Sequence, residues 1–309
     1  MDYKILVSIV NWNDAAGTNR CLSGIGKLPK AEQPDVVVVE NNSQREELII
    51  DKSIGQSLRS LKVFNNKKNL GFAGGHNPNI KLAKSRGYDY IVLLNNDTDI
   101  IDGQLFKKLA VALADNQRAL GANPTILSHK KPDVIWYGGG RMSPVTSRLA
   151  HLQVGSVRQP AGPAQTTKFL TGGCLMIALK RADLKQVLLD QDYFMYWEDA
   201  DWCARAHRSG FELLYVPEAR LLHQVSSALG VRSPFYIYYN IRNHILFIRR
   251  NVRAIFWPLA WVNISIITAK YKFNILFRYK QGRWAALKAL WAGWLDGFRG
   301  KTGQTRQIV

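Results

Sequence analysis

Residues 90–99 read YIVLLNNDTD, an apolar run that breaks off into Asn95, Asn96, Asp97, Thr98 and Asp99. A strand buried on both faces is spelled this way, apolar at nearly every position rather than at alternate ones. Similar runs lie at 5–10, 36–39 and 61–64, and helical patterns at 15–28, 46–58, 75–86 and 103–116 alternate with them. Regular strand–helix alternation predicts an α/β fold, a parallel sheet covered on both sides. Ligands of such sheets gather at the carboxyl ends of the strands, where 95–99 falls. After Gly121 the pattern loosens. Turns are expected at 138–140, a Pro/Gly-rich surface loop over 154–167, strands at 169–179 and 213–216, and a helix over 198–209. From Pro234 onward the chain is helical, aromatic and basic.

Polar residues cluster at four points of this scaffold. An Asn-x-Asp pair such as Asn95 and Asp97, leaving a buried strand, can hold a hard divalent cation, since Mg²⁺ and Mn²⁺ take oxygen ligands; it can equally cap the next helix. In VVVENNS (37–43), Glu40 offers a carboxylate to ribose hydroxyls or a base N–H, although Asn41, Asn42 and Ser43 also suit a plain turn. NLGFAGGHN (69–77) sets Gly71, Gly74 and Gly75 before a helix, where the backbone can approach an anion. It is neither a dinucleotide fingerprint nor a P-loop. YWEDADWCARA (196–206) crowds Glu198, Asp199 and Asp201 behind Trp197. A carboxylate beside an apolar wall can serve as general base, while acids at a helix start are also favoured by the macrodipole. His223 follows in RLLHQVSS (220–227).

The 309 residues carry 42 Lys+Arg against 23 Asp+Glu, a formal charge of +19, with 47% hydrophobic residues. That profile excludes a disordered chain, a collagen-like repeat and a disulfide-stapled mini-protein. Residues 235–309 hold 13 of the basic residues, a single acid (Asp296) and 16 of the 33 aromatics. Basic plus aromatic suits an anionic surface, either nucleic acid or phospholipid headgroups. A nucleic-acid platform gives no reason for Asp97, Asp199 and His223, so the expectation is no nucleic-acid partner. Trp284, Leu287, Trp291, Trp294 and Phe298 recur on one helix face, which reads either as core or as an interfacial stripe. Cys21, Cys174 and Cys203 are far apart and in no metal-ligand spacing, which fits a reducing cytosol. The start MDYKILVSIV lacks the features of a signal peptide. The longest charge-free stretch, 254–269, falls short of the roughly 20 apolar residues a spanning helix needs.

In order and spacing the motifs resemble those of the inverting GT-A glycosyltransferases of family 2, especially bacterial rhamnosyltransferase-like members. The likeness runs over roughly residues 3–250 and rests on ENNS (40–43), NLGFAGGHN (69–77), LNND (94–97), TGG (171–173), Glu198-Asp199 with Arg205, and His223 near Ser226 and Ser227. The resemblance implies a Rossmann-like, mostly parallel sheet flanked by helices over 1–233, followed by a helical, basic and aromatic extension over 234–309. It implies Asp199 as catalytic base. Asp97, Asn95 and His223 would hold Mg²⁺ or Mn²⁺. Glu40 would meet the donor nucleoside, and Asn42, Gly71, Gly74, Asn96, Thr171, Gly172, Gly173, Trp197 and Glu198 would line the donor and acceptor pocket. The pattern is departed from in two places: Asn95 stands where the metal motif has its first Asp, and His76, Pro78 and Asn79 replace an Asn and small-residue continuation. The implied reaction transfers a sugar with inversion to a hydroxyl of a lipid-linked glycan in cell-surface polysaccharide synthesis. The donor implied first is dTDP-rhamnose, with a UDP-hexose as the alternative. The basic tail then places the enzyme in the cytoplasm, peripheral on the anionic inner face of the plasma membrane.

Overall fold

The computed structural model describes residues 3–157, 161–224, 233–279 and 281–305. Ser226 and Ser227 lie outside the described residues, as does part of the expected 154–167 loop. Four strands, β1 (Ile5–Asn11), β2 (Asp35–Glu40), β3 (Leu61–Asn65) and β4 (Tyr90–Asn95), pair in parallel in the order β3-β2-β1-β4. Val7 stands between Val36 on one side and Val92 on the other, all three buried, which is why the runs of β1, β2 and β4 are apolar; β3, at the sheet edge, is largely exposed. Helices α1 (Ala15–Gly26), α2 (Lys52–Ser57), α3 (Gly71–Ser85) and α4 (Leu105–Asp115) accompany them.

Two of these helices differ from their sequence patterns, for local reasons. The expected helix over 46–58 shrinks to α2 because α1 takes up the backbone of the preceding segment. The Asn19 amide donates to Ile49 O and accepts from Asp51 N, and Glu46 accepts from Ala15 N. Helix α3 begins at Gly71 rather than Gly75, because Asn41 and Asn69 accept the N–H groups of Leu70 and Gly71 and so cap its entry.

The second half of the sheet was largely hidden in the sequence. Strand β5 (Thr98–Asp99) precedes α4, and β6 (Ala119–Ser128) follows it. Next come β7 (Lys131–Tyr137), the hairpin β8 (Gly140–Met142) and β9 (Leu149–His151), β10 (Gln165–Thr166), β11 (Cys174–Ala178), the short α5 (Leu184–Val187), α6 (Glu198–Arg208) and β12 (Glu212–His223). Strands β6 and β12 run parallel to each other, and β11 lies between β4 and β6, antiparallel to both. Short antiparallel pieces β5, β7 and β10 finish the edges. The result is a mixed sheet, mostly parallel, flanked by helices.

Three helices end the chain: α7 (Pro234–Asn251), α8 (Trp257–Arg278) and α9 (Arg283–Phe298). Ser233 caps α7 by accepting from Tyr236 N, and Pro234 occupies the first turn, where its missing N–H costs nothing. Ile237, Ile241, Ile245 and Phe247 of α7 share one buried cluster with Leu170, Tyr193 and Trp202, so packing is continuous across residue 234. Helix α9 turns Ala286, Ala289, Gly293 and Gly297 inward. A Cβ on Gly293 would stand 2.8 Å from Tyr238 O, and one on Gly297 2.9 Å from Ile245 Cβ. The aromatic stripe therefore faces outward, with Trp284 76%, Trp291 63% and Phe298 53% exposed. Leu287 and Trp294 are half-buried against the core, Trp294 donating to Thr268 Oγ1 at 2.9 Å. Among the described residues no helix is long and apolar enough to cross a membrane.

Gly297→Leu is expected to wedge α9 off α7 and lower stability by about 1–3 kcal/mol, read as an earlier urea midpoint. A midpoint equal to that of the parent would contradict the close approach.

Candidate active site

A cavity of ≈570 Å³ opens where β1, β4 and β12 end, a size suited to a ligand larger than a single sugar. Two groups of polar side chains line it.

The first group sits at the end of β4. His223, the last residue of β12, points Nε2 at Asp97 Oδ1 (2.9 Å) and at the Asn95 amide (3.2 Å). Backbone pairing fixes this convergence: Asn95 N donates to Gly173 O, and Gln224 N to Asp97 O. Trp136 packs edge-on against the His223 ring at 4.9 Å, and His223 Nδ1 is buried with no protein partner. Among the described residues no three His, Cys, Asp or Glu side chains meet at one point. One carboxylate, one imidazole and one amide nevertheless fit a hard divalent cation whose remaining positions are filled by phosphate oxygens and water.

The second group sits at the start of α6, where the three acids have separate fates. Asp201 is structural: Arg205 pairs with it at 2.7 Å one turn on, and Asn251 Nδ2 donates to it at 2.9 Å. Asp199 accepts from Gly172 N at 3.0 Å and from Ala200 N at 2.8 Å. Glu198 is buried, and its Oε2 has no partner. Burial, with Asp199 alongside, pushes the Glu198 carboxyl well above the usual carboxylate range. Burial raises Asp199 too, but the two amide hydrogen bonds act against the rise. Charge is thus favoured on Asp199, which two amides hold, over Glu198, whose buried Oε2 has no such partner.

The approach to this pair is strained. Phe194, Tyr196 and Trp197 have φ of 61°, 66° and 74°, a region that non-glycine residues occupy at a cost of about 1–3 kcal/mol each. Trp197 stacks on His244 at 4.1 Å. Gly71, with φ +70°, leaves room for Phe194 O, which a Cβ there would meet at 2.1 Å; Phe72 N donates to the same oxygen.

Of the residues expected at the site, Asn95, Asn96, Asp97, Gly71, Thr171, Gly172, Gly173, Trp197, Glu198, Asp199 and His223 all line the cavity. Three are not among its lining residues. Glu40 ends β2 accepting from Asn11 Nδ2 and Ser43 N, Asn42 sits in the turn with φ 59°, and Gly74 is buried inside α3. The reading from sequence passed over lining residues Trp12, Phe72, Trp136, His151, Tyr236 and Asn240. It also passed over buried Asn123, whose amide bonds Thr171 N, Thr171 O and Cys174 O and so shapes the TGG turn. His76 lies behind Phe72, bonded to Ser8 Oγ at 2.8 Å, and burial lowers its pKa to about 3, so it stays neutral.

The raised Glu198 carboxyl has a consequence for stability. Its folded pKa lies above its unfolded one, so the folded form keeps its proton to higher pH than the unfolded chain does. Stability is thus lost as pH climbs from the ordinary carboxylate range toward the raised value. Glu198→Gln removes that penalty. The variant is expected to resist urea better than the parent at about pH 8, with the gap closing toward about pH 4. A gap that widens toward acid would refute the upward shift of Glu198.

Residues 3–235 match the family described as glycosyltransferase like family 2. The dTDP-rhamnosyl transferase RfbF of Shigella flexneri is 22% identical over 254 residues, covering 77% of this chain and 79% of that protein. The N-acetylglucosaminyl-diphospho-decaprenol L-rhamnosyltransferase of Mycobacterium tuberculosis is 26% identical over 197 residues, 57% of this chain and 62% of its own length. Among solved structures, GalNAc-T7 with UDP, GalNAc and Mn²⁺ superposes with a TM-score of 0.61 at 14% identity, over 97% of this chain but only 56% of the longer one. That likeness is one of fold, and it is a glycosyltransferase fold. With three quarters of its length matched, the chain belongs to the family 2 glycosyltransferases.

Proposed function

We propose that the protein is an inverting, metal-assisted sugar transferase using a nucleotide-sugar donor, with dTDP-rhamnose the first candidate. The observation that carries the reading is the placement of Asp199, held by Gly172 N and Ala200 N, in the cavity that also holds the Asn95, Asp97 and His223 cluster. A carboxylate fixed in this way is suited to act as a general base. Asp199 takes the proton of an acceptor hydroxyl, whose oxygen bonds to the anomeric carbon from the face opposite the nucleotide. The bond from that carbon to the diphosphate oxygen breaks, the leaving group keeps the electron pair, and configuration inverts. Asn95, Asp97 and His223 would hold a divalent cation, which would supply positive charge to offset the negative charge of the leaving diphosphate. Glu198, whose carboxyl burial pushes well up, is suited to donate a hydrogen bond into the pocket rather than to take the acceptor's proton. Rhamnosyltransferase relatives favour dTDP-rhamnose, and the relative named for a decaprenyl-linked substrate favours a lipid-linked glycan acceptor.

The C-terminal helices supply a surface for such an acceptor. Leu259, Val262, Ile266, Phe273 and Phe277 of α8 and Trp284, Trp291, Leu295 and Phe298 of α9 form exposed stripes at helical spacing. Lys270, Lys272, Arg278, Arg283 and Lys288 are exposed around them, and the one acid, Asp296, is buried against Tyr238 and Lys301. Apolar stripes rimmed by cations fit an anionic lipid leaflet.

The transfer reading is tested by measuring nucleoside diphosphate release from dTDP-rhamnose, UDP-hexoses and GDP-mannose, each with Mn²⁺ and with chelator. At least one donor is expected to turn over with Mn²⁺ only, and Asp199→Asn to lose about 10²–10⁴-fold in turnover while still binding nucleotide in a thermal-shift assay. Near-parental turnover by Asp199→Asn would remove it as the base. For the surface, the full chain is expected to co-sediment with phosphatidylglycerol vesicles at low salt and to be released by high salt, with Lys270→Glu plus Lys288→Glu weakening binding. Equal binding to neutral vesicles would count against the anionic-leaflet reading.

A further inference from the structure

We propose that Asn243, oriented by Arg242, is a positioning residue that holds the loop presenting Trp197, Glu198 and Asp199 in its working shape; its kinetic consequence rests on the transfer reading above. Asn243 is fully buried on α7, and its Nδ2 lies 2.8 Å from Tyr193 O, 2.7 Å from Met195 O and 2.8 Å from Tyr196 O. One amide thus gathers three carbonyls from a five-residue stretch. That stretch contains the left-handed residues Phe194, Tyr196 and Trp197, and a chain so bent points these three carbonyls at α7. Carbonyls taken out of a regular ladder need donors, and no other residue of α7 supplies one to Met195 O or Tyr196 O among the described residues.

The amide's direction is fixed independently. Arg242 Nε donates to Asn243 Oδ1 at 2.7 Å, and a guanidinium can only donate. The oxygen of Asn243 must therefore face Arg242 and its NH₂ the loop. Arg242 also donates through Nη2 to Tyr193 O at 2.9 Å and through Nη1 to Gly303 O, while Gly303 N donates to Asp192 O at 2.7 Å. The segment following α9 is thereby tied to the front of the same loop. On the far side, Phe194 O accepts Phe72 N of the glycine-rich helix start. The loop is held between α7 and α3, and it leads directly into Glu198-Asp199.

Neither Asn243 nor Arg242 lines the cavity, so neither touches substrate. Their effect passes through the backbone. With the donor gone, the three carbonyls are released, the left-handed residues relax, and the Asp199 carboxylate leaves its bond to Gly172 N. A displacement of that size at a general base falls on turnover rather than on nucleotide binding.

The test uses the full-length protein in four variants. Asn243→Ala removes the amide. Asn243→Asp keeps its shape but puts oxygen where three carbonyls point. Asn243→Ser leaves one donor. Ile241→Val trims the same helix elsewhere. Hydrogen exchange read by mass spectrometry is expected to speed up about tenfold over 190–200 in the Ala and Asp variants, less in Ser, and not at all in Ile241→Val. With the best donor of the screen, kcat should fall about 10–100-fold in Ala and Asp while the donor KM stays within about twofold. Unchanged exchange over 190–200, exchange raised throughout the sheet, parent-like turnover by Asn243→Asp, or KM rising in step with the loss of kcat would each overturn the proposal. If the parent turns over no nucleotide sugar, the transfer reading fails instead, and the exchange measurement alone decides whether Asn243 holds the loop.

Discussion

Strand β11 runs against both of its neighbours, so its amino end reaches the sheet edge where β4 delivers Asn95 and Asp97. In an all-parallel sheet that edge would receive only carboxyl ends, and the chain entering the strand would lie at the opposite edge. The reversal brings the Thr171–Gly173 turn beside the cation cluster. It also leaves Gly172 N facing the Asp199 carboxylate, and Gly173 O accepting Asn95 N. A side chain at Gly172 would crowd this seam, its Cβ standing 3.0 Å from the Phe72 ring. The two polar groups of the cavity are neighbours because of this one change of direction.

The same seam explains how three acids within four positions coexist. Each has a different environment: a guanidinium for Asp201, two amides for Asp199, and burial that pushes the carboxyl well up for Glu198. Buried carboxyls and a left-handed loop both work against folding, and they sit together where chemistry is expected. What offsets them is the apolar mass behind α6, with Trp202, Ala200 and Cys203 buried against Leu170, Tyr193 and the inward face of α7. A helix that the sequence suggests is an appendage thus belongs to the support of the site.

Legibility followed the apolar pattern. Strands β1, β2 and β4 were readable to within about one residue because both faces are buried, and that periodicity needs no partner to recognise it; β3 was equally legible although it is an exposed edge strand. Strand β6 was not: ALGANPTILS carries glycine, asparagine and proline where a strand reader looks for β-branched residues. Yet its Asn123 is buried and bonded to the TGG turn, and Pro124 needs no N–H at its place in the ladder. Strand β12 looked four residues long because Pro217 and Glu218 interrupt it, whereas the structure carries the ladder past them with a shift in register between Val216 and Arg220. His223 therefore reaches Asp97 along a strand whose continuation the sequence concealed. The motif residues themselves were legible by type, but their partners on distant elements, Asn243 above all, were not.

The outward aromatic stripe of α9 shows where pattern reading stops for a physical reason. A helix with large residues at one set of spacings and small ones on the opposite side can bury either face. The choice belongs to the neighbour, and α7 offers closely set backbone and Ile241 and Ile245 rather than a groove wide enough for indoles. Gly293 and Gly297 accept that approach, and the indoles are displaced outward among the cations. The charge excess of the last quarter is then a property of an outer surface, while α7 beneath it turns its own buried Arg242 and Asn243 toward the backbone carbonyls of the loop that precedes the acids. Basic residues in this region serve two unlike purposes, and only burial separates the guanidinium that orders a loop from the ammonium groups that face solvent.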